Sequence, residues 1–255
     1  MKFSVVMDSL FGRQWKDKIF ENMKIVADAG YDGIEFLNWE PKDIPVIKEH
    51  ADKFGLSIAA FLTKCPCLGD ANNHGQFLED LKVSIDAANT LECASLIGQS
   101  GLVQMFLPEQ TFWKNMVAVL KEASVLLEDA GITMVVEPVN TKVDHAGVFL
   151  STSKDSFFLT SLVGSPNVKI LYDLYHQQIT DGNLLATIEN NLDAIGHFHA
   201  AGCPGRNEIT SGELNYPFIF EAIDRMGFDG YMGMEYRPTK DVFEGLVEAR
   251  KLFSK

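Results

Sequence analysis

Short apolar segments recur along the chain, and longer segments with helical periodicity separate them. The candidate strands read KFSVVM, DGIEFL, LSIAAFL, ASLIGQ, ITMVVEP, VKILYDLY, IGHFHA and YMGMEY. Most of their positions are apolar on both faces, which is typical of parallel strands covered by helices. Between them, the segment NMVAVLKEASVLLEDAG has helical spacing, and it predicts a buried face that includes Met116, Val119, Leu120 and Val125.

Further helices are predicted over residues 151–162, 184–195 and 242–253. Glycine marks the joins between helix and strand in the related phrases AGYDGIEFLN and MGFDGYMGMEY, and again at Gly55 and Gly131. Eight β/α units predict an α/β fold, a (β/α)8 TIM barrel that forms a single domain over residues 1–255. A doubly wound open sheet is the rival, but no G-x-G-x-x-G phrase follows the first strand.

Composition narrows the class of protein. Apolar residues make up 46% of the chain and charged residues 22%, which suits a folded globular protein. The net charge of −13 disfavours nucleic acid as a partner. The chain shows no secretory signal and no apolar run of membrane-spanning length, so we expect a cytoplasmic protein. The four cysteines fit no zinc pattern and are expected to be free thiols, with the role of Cys65 and Cys67 left open.

Polar residues stand at the ends of the last four predicted strands. They are Glu137 in VVEPVN, Asp173 in LYDLYH, His199 in GHFHAAG and Glu235 in GMEY. A single glutamate at a strand end is more often a surface or cap residue. Four such residues on adjacent barrel strands would repel one another unless a cation sat between them. Mostly oxygen ligands with one nitrogen favour Mn²⁺, Mg²⁺ or Co²⁺.

Three further residues are candidates on the same strands or loops. His197 shares a strand face with His199 one layer deeper, so we interpret it as a support for His199 or as packed core. His176 is expected to begin a loop over the barrel mouth and donate to a substrate oxygen; the alternative is an exposed or helix-capping histidine. Arg206 is the only cation in CPGRNEITSGELNY, where it would bind a substrate carboxylate or hydroxyl or pair with Glu208.

Other residues near the predicted strand ends carry weaker expectations. Phe11, Trp39 and Phe61 would line a pocket or pack in the core. Glu213 and Tyr216 are expected to begin the next helix. The small residues 200–202 would leave room for a substrate.

The segments VVEPVN, YDLYHQQ, GHFHAAGCPGRNEITSGELNYPFIF and GMEYRP together resemble the hydroxypyruvate isomerase family, within the xylose isomerase-like TIM barrels. The order Glu, Asp-x-x-His, His, Arg, Glu is also similar to that of the ketose 3-epimerases. The resemblance implies one divalent metal held by Glu137, Asp173, His199 and Glu235. It implies that Glu137 and Glu235 are also the acid/base pair. It makes His176 and Arg206 substrate contacts.

The strand-seven ligand in hydroxypyruvate isomerases is commonly Gln, whereas His199 matches the epimerases. The function expected from the resemblance is interconversion of an α-hydroxy aldehyde and ketone through a metal-stabilised enediolate. Hydroxypyruvate and tartronate semialdehyde, a related oxo-tetronate or a small sugar would be the substrate. A ketose 3-epimerase and a non-catalytic sugar-binding barrel are the alternatives. An apurinic-site endonuclease shares the barrel but needs several metals, more histidines and a basic face. The expected partner is a small molecule, with neither nucleic acid nor membrane, and a homo-oligomer stays open.

Overall fold

The computed structural model describes residues 1–64 and 67–253. Within them, the strands are Lys2–Val6 (β1), Gly33–Phe36 (β2), Ser57–Leu62 (β3), Ser95–Gln99 (β4), Thr133–Glu137 (β5), Val168–Asp173 (β6), Ile195–Ala200 (β7) and Tyr231–Met234 (β8). Each strand pairs in parallel with the next, and β8 pairs with β1, so the sheet closes into a barrel. The predicted (β/α)8 TIM barrel is therefore confirmed, and the doubly wound sheet is wrong. That a single domain extends over residues 1–255 stays a prediction.

Helices connect successive strands and cover the barrel. The α-helices of the described chain are Met7–Phe11 (α1), Ile19–Asp28 (α2), Ile44–Phe54 (α3), His74–Leu91 (α4), Glu109–Ala130 (α5), Ser153–Val163 (α6), Leu174–Thr180 (α7), Leu184–Asn191 (α8), Tyr216–Arg225 (α9) and Val242–Lys251 (α10). The predicted helices over 151–162, 184–195 and 242–253 are present with shifted ends. Residues 192–194 form a separate 3₁₀ turn.

Helix α5 shows how the outer layer packs. Its buried stripe includes Met116, Val119 and Leu120, as predicted, and extends to Leu127. Val125 is 58% exposed, so its predicted burial is wrong. At 100° per residue, Val125 points about 140° away from Leu120 and therefore away from the barrel.

The two related glycine-containing phrases do form turns from a helix into a strand. Gly30 and Gly227 both have positive φ, at 82° and 87°, a conformation that glycine adopts without a Cβ clash. After the first turn, Asp32 accepts a hydrogen bond from the backbone N–H of Phe3 at 2.8 Å. The turn is thereby tied to β1 and sets where β2 begins.

Strands β6 and β8 end earlier than the sequence predicts. The sequence pattern continues β6 to Tyr175, but Asp173 caps a helix that starts immediately after it. Strand β8 ends at Met234, which leaves Glu235 just past the last paired residue. Both carboxylates therefore lie at the barrel rim, where their backbones are still tied to β7: Asp173 pairs with His199, and Glu235 N–H donates to Ala200 O at 3.0 Å.

The buried apolar residues form two clusters, one small and one large. A small apolar cluster on β3 to β6 consists of Ala60, Ile97, Val135 and Leu171. The larger core lies between strands and helices and contains Trp39 and Phe61, whose rings meet edge to face. None of the helices within the described residues is long and apolar enough to cross a bilayer.

Candidate active site

The carboxyl ends of four consecutive strands bring four titratable side chains together. They belong to Glu137 at the end of β5, Asp173 at the end of β6, His199 in β7 and Glu235 just past β8. One ligand atom from each lies within 4.8 Å of the others, and all four residues are buried. These are the residues that the sequence predicts as metal ligands. Their role in binding a metal stays a prediction.

Asp173 serves both the helix and the site. Its Oδ1 accepts hydrogen bonds from the backbone N–H groups of Tyr175 at 2.7 Å and His176 at 3.2 Å, which caps helix α7. Its Oδ2 is buried and makes no hydrogen bond with any described residue; it lies 3.8 Å from Arg206 Nη2. The cap fixes the carboxylate and leaves Oδ2 available to a ligand.

The carboxyl groups of Glu137 and Glu235 have different hydrogen-bond partners. Glu137 Oε2 accepts a hydrogen bond from Gln99 Nε2 at 3.3 Å, whereas Oε1 has no hydrogen bond from the described part of the chain. Glu235 Oε2 lies 2.8 Å from Arg206 Nη2 and 3.0 Å from His199 Nδ1. Cationic groups therefore compensate Glu235 directly, whereas among the described residues the side chain of Glu137 has a hydrogen bond only from the amide of Gln99.

This difference separates the acidities of the two glutamates. Burial and the negative charge of Glu235 raise the pKa of Glu137 to about 8. Burial acts on Glu235 in the same direction, but Arg206 and His199 outweigh it and hold the pKa of Glu235 well below its usual range. In the metal-free protein at neutral pH, Glu137 is therefore protonated and Glu235 is ionised.

The donor set fits a divalent cation. The oxygens Glu137 Oε1 and Asp173 Oδ2 are buried without a hydrogen bond from the described residues, which is costly for carboxylates. A cation between them would satisfy both. Three carboxylates and one imidazole match the ligand preferences of Mn²⁺ or Mg²⁺ better than those of a thiolate-bound structural zinc.

A second buried network lies against His199. Glu35 of β2 contacts both histidines of β7: its Oε2 is 2.9 Å from His199 Nε2, and its Oε1 is 3.0 Å from His197 Nε2. Despite burial, Glu35 and Glu235 raise the pKa of His199 well above its usual value. Because Glu35 engages Nε2, the nitrogen of His199 that faces the other carboxylates is Nδ1. His197 supports this network from below, in agreement with its predicted position.

The sequence pattern does not single out Glu35. The repeated phrase does not mark it either, because Glu35 in AGYDGIEFLN aligns with Met232 in MGFDGYMGMEY, and Glu235 aligns with Asn38. Gly233 on β8 makes the network possible, because a Cβ at that position would collide with Glu35 Oε1 and His199 Cδ2. Glycine at this position therefore leaves space for Glu35 and His199, and the periodicity along β8 does not reveal this requirement.

His176 lies in helix α7 and is fully buried, so the prediction that it begins a loop is wrong. The helix starts there because Asp173 caps it. His176 Nδ1 lies 2.6 Å from Asn140 Nδ2. Its Nε2 has no hydrogen-bond partner among the described residues and lies 3.6 Å from Asp173 Oδ2 and 3.9 Å from Glu137 Oε1. The ring edge therefore faces the site, as a substrate contact would require.

Asn140 determines the tautomer of His176. The Oδ1 of Asn140 accepts hydrogen bonds from the backbone N–H groups of Val143 at 2.9 Å and Asp144 at 3.2 Å, so its NH₂ group faces His176. An NH₂ donor needs an unprotonated Nδ1. Burial lowers the pKa of His176 to about 4, which keeps the ring neutral. The remaining proton is on Nε2, where it can be donated to a substrate oxygen.

Arg206 is buried and binds Glu235, so the alternative of a surface pair with Glu208 is wrong. Glu208 instead accepts hydrogen bonds from the loop before α10. Arg206 has a φ of 57°, a strained value for a residue other than glycine. Its backbone N–H donates to Gly202 O at 2.8 Å, and its carbonyl accepts from Arg237 N at 2.7 Å. Such enforced strain is common where a side chain is held in a site.

Comparisons of sequence agree with the fold. A profile of the family described as Xylose isomerase-like TIM barrel matches residues 23–253. The chain belongs to the xylose isomerase-like TIM barrel family. A 2-oxo-tetronate isomerase from Pectobacterium atrosepticum is 31% identical over 235 residues, 89% of each chain. A putative hydroxypyruvate isomerase from Drosophila melanogaster is 30% identical and covers 99% of this chain and 98% of its own.

A 2-oxo-tetronate isomerase from Cupriavidus necator is 41% identical over 116 residues, which are 46% of this chain, and the match spans less than half of that relative, 44% of its length. These relatives are named isomerases, so the predicted resemblance is confirmed and the predicted enzyme class agrees with them.

Solved structures share the xylose isomerase-like barrel. The crystal structure of an AP endonuclease, family 2, from Brucella melitensis has a TM-score of 0.91 and 28% identity, with 98% of this chain and 99% of that chain covered. A D-allulose 3-epimerase from Methylomonas sp. has a TM-score of 0.80 and 19% identity, with 100% and 90% covered. At that lower identity, the epimerase shares the fold.

The site of this xylose isomerase-like barrel opens into a pocket of about 510 Å³, a volume that suits a small molecule. Lining residues that the sequence analysis does not name include Asp8, Arg13, Asn38, Gln99, His145 and Arg237. Asp8 follows β1, Asn38 follows β2, and Gln99 ends β4. All three are polar residues at the carboxyl ends of strands in the first half of the barrel, the same signal that selects Glu137, Asp173, His199 and Glu235 in the second half.

Some expected pocket residues lie elsewhere. Phe11, Trp39 and Phe61 pack with the core and are absent from the described lining of the pocket. Residues 200–202 are buried and do not line it either: a Cβ at Gly202 would lie 2.6 Å from Glu208 O, so that glycine admits a neighbouring loop. Tyr216 begins α9, as predicted, whereas Glu213 precedes that helix.

The cysteines of the described chain stand apart from the pocket lining. Cys67 and Cys203 are free thiols, and burial raises the pKa of Cys203 to about 11, opposite to an activated nucleophile. Cys65 lies outside the described residues.

Proposed function

We propose that this protein is a metal-dependent isomerase that interconverts an α-hydroxy aldehyde and the corresponding ketone, or, for a 2-oxo-tetronate, moves the carbonyl to the adjacent hydroxyl-bearing carbon. The substrate we propose is a short acid, hydroxypyruvate with tartronate semialdehyde or a related 2-oxo-tetronate. The observation that carries the proposal is the convergence of Glu137, Asp173, His199 and Glu235, with two buried carboxylate oxygens that lack hydrogen bonds from described residues. The activities named for the relatives support the choice of substrate.

In this mechanism Glu137, Asp173, His199 and Glu235 hold one divalent ion, Mn²⁺, Mg²⁺ or Co²⁺. The bound ion supplies Lewis acidity, which stabilises negative charge on the substrate oxygens. Glu137 and Glu235 also move the proton: one removes it from the carbon beside the carbonyl, and a proton then returns to the neighbouring carbon. The rigid strand ends keep both carboxylates in place during this transfer.

His176 and Arg206 bind the substrate in this proposal. The Nε2–H of neutral His176 donates to a substrate oxygen and so stabilises charge that develops there. Arg206 holds Glu235 in the metal-free protein and presents a second donor, a charged one, at the site. Both side chains are buried, so their N–H donors are shielded from bulk solvent.

The test is proton NMR in D₂O with metal-depleted protein, before and after addition of Mg²⁺, on hydroxypyruvate and a panel of ketoses. We expect Mg²⁺-dependent deuterium incorporation beside the carbonyl, together with the isomeric aldehyde. Absence of exchange with every substrate by fully loaded protein would refute the proposal and favour a non-catalytic sugar-binding barrel.

Ketose 3-epimerisation is the second candidate, and His199 favours it because this position resembles the epimerases. Two carboxylates suit this reaction too, since the proton leaves one face of a carbon and returns to the other. A 3-epimer of a ketose as the NMR product would select it over the isomerase.

DNA cleavage, the activity for which the Brucella protein is named, is less well supported. The net charge of −13 opposes approach to a polyanion. A nuclease assay on DNA with an abasic site, in the presence of Mg²⁺ or Mn²⁺, tests this activity directly.

A further inference from the structure

Arginines are concentrated in the pocket above the candidate metal site. The chain has five arginines, and three of them, Arg13, Arg206 and Arg237, line this pocket. No lysine of the described chain lines it. In a protein of net charge −13, such a collection of guanidinium groups at one concave surface indicates an anionic ligand.

Two of these arginines already have carboxylate partners. Arg206 is buried, and its Nη2 is 2.8 Å from Glu235 Oε2. Arg237 is more exposed, and its Nη2 lies 3.7 Å from Asp144 Oδ1. Neither guanidinium is wholly available to a substrate carboxylate.

Arg13 differs from both. It follows α1 and lines the pocket, but its guanidinium makes no hydrogen bond, ion pair or ring contact with any described residue. Gly12 has a φ of 80°, and this left-handed residue ends α1 and turns the chain into Arg13. In the same helix, Ser9 Oγ donates to Glu235 Oε1 at 3.4 Å. The segment that carries Arg13 is therefore anchored to the candidate metal site.

The acidic neighbour on this segment does not neutralise Arg13. Asp8 also lines the pocket, but its Oδ2 accepts a hydrogen bond from the backbone N–H of Leu37 and its Oδ1 accepts from Asn38 Nδ2, each at 2.7 Å. Asp8 thus fastens α1 to the end of β2. No described residue therefore neutralises the positive charge of Arg13, a residue that lines the pocket.

We propose that Arg13 binds the carboxylate of the substrate and selects acids over neutral sugars. The inference rests on the proposed function, since it assigns one end of that substrate. The metal site holds the hydroxy-carbonyl end, and the planar guanidinium of Arg13 binds the carboxylate through two N–H donors. A neutral ketose offers a hydroxymethyl group there and gains no charged hydrogen bond.

The activity test compares Arg13→Gln with Arg225→Gln. Arg225 is an exposed arginine on α9 that pairs with Glu221 and is absent from the described pocket lining, so both variants lose one positive charge. The substrates are hydroxypyruvate and dihydroxyacetone, which differ by a carboxylate against a hydroxymethyl group. We expect the preference for hydroxypyruvate, as a ratio of kcat/KM, to fall about 10- to 100-fold in Arg13→Gln, mainly through KM. Arg225→Gln should keep the wild-type ratio.

A binding test separates this inference from the proposed reaction. Tartronate is an unreactive hydroxy-dicarboxylate, and its affinity for the Mn²⁺-loaded protein is measured by calorimetry. About tenfold weaker binding to Arg13→Gln than to the wild type and to Arg225→Gln supports the inference, whether or not the enzyme turns over hydroxypyruvate. Equal binding by all three proteins, or no binding by the wild type, overturns it.

Arg237→Gln is measured in the same way. If the loss of tartronate binding is confined to Arg237→Gln, the inference is overturned and the carboxylate is assigned to Arg237. Failure of turnover with intact, Arg13-dependent tartronate binding counts against the proposed function alone.

Discussion

Among single residues, we expect the loss of the Glu137 carboxylate to lower turnover with little change to the surrounding structure. The change Glu137→Gln preserves the shape of the side chain and an oxygen that can accept from Gln99, but it removes the carboxylate that transfers a proton. We expect turnover to fall about 10²- to 10⁴-fold, measured as deuterium exchange in D₂O under saturating Mg²⁺. Glu122→Gln on the exposed side of α5 is the matched control. Wild-type turnover by Glu137→Gln would remove this residue from the mechanism.

Glu35 acts through His199 rather than on the substrate. Its carboxylate holds His199 Nε2 at 2.9 Å and so keeps Nδ1 directed toward the other ligands. Glu35→Gln can keep one contact but no longer has a negative charge on both histidines. We expect Mn²⁺ affinity, measured by calorimetry, to fall about 10- to 100-fold. Glu49→Gln, at an exposed position, serves as the control. Unchanged Mn²⁺ affinity in Glu35→Gln would show that Glu35 and its two histidines contribute packing and do not tune metal binding.

At the scale of elements, helix α7 depends on Asp173 as its cap. Asn retains an oxygen that accepts the N–H groups of Tyr175 and His176, whereas Ala does not. Both substitutions remove the same buried charge, so their difference isolates the cap. We expect metal-free Asp173→Ala to be less stable than metal-free Asp173→Asn by about 1 kcal/mol in urea unfolding. Both variants should bind Mn²⁺ weakly.

Equal stability of the two Asp173 variants would show that helix α7 is held by its packing alone.

The site also depends on the elements around it. Strand β8 reaches Glu235 past Gly233, where the missing side chain admits Glu35 and His199. A cap on one element and a glycine on another therefore place the same group of ligands.

At the scale of the whole molecule, metal binding should be linked to pH. Burial and Glu235 raise the pKa of Glu137 to about 8, so the metal-free protein carries a proton there at pH 6 to 7. A metal ion that binds Glu137 must displace this proton. Mn²⁺ affinity should therefore rise as pH increases toward 8, by about tenfold per pH unit for each proton displaced, and fall as pH decreases.

Calorimetry at pH 7 in two buffers of different ionisation enthalpy measures the protons released. We expect at least one proton for each Mn²⁺ bound, and His199 adds to this number because its pKa is also raised in the metal-free protein. The same affinity at pH 6 and pH 8, with no buffer dependence, would contradict the protonated state of Glu137.

The barrel and the positions of its four candidate ligands can be predicted from the sequence alone. Apolar runs and glycine turns are local features, and a parallel barrel gathers the carboxyl ends of all strands at one face. For this reason Glu137, Asp173, His199 and Glu235 could be selected without coordinates. Their chemical roles, and those of the substrate contacts, stay predictions.

The contacts that hold these residues in place form only in the folded barrel. Glu35 contacts His199 across 164 positions of sequence, and Asn140 sets the tautomer of His176 across 36. The partner of Arg206 proved to be Glu235, although Glu208 is nearer along the chain. Periodicity reports which face of an element is buried, whereas pairing, protonation and pKa depend on distances between elements that meet only when the barrel closes.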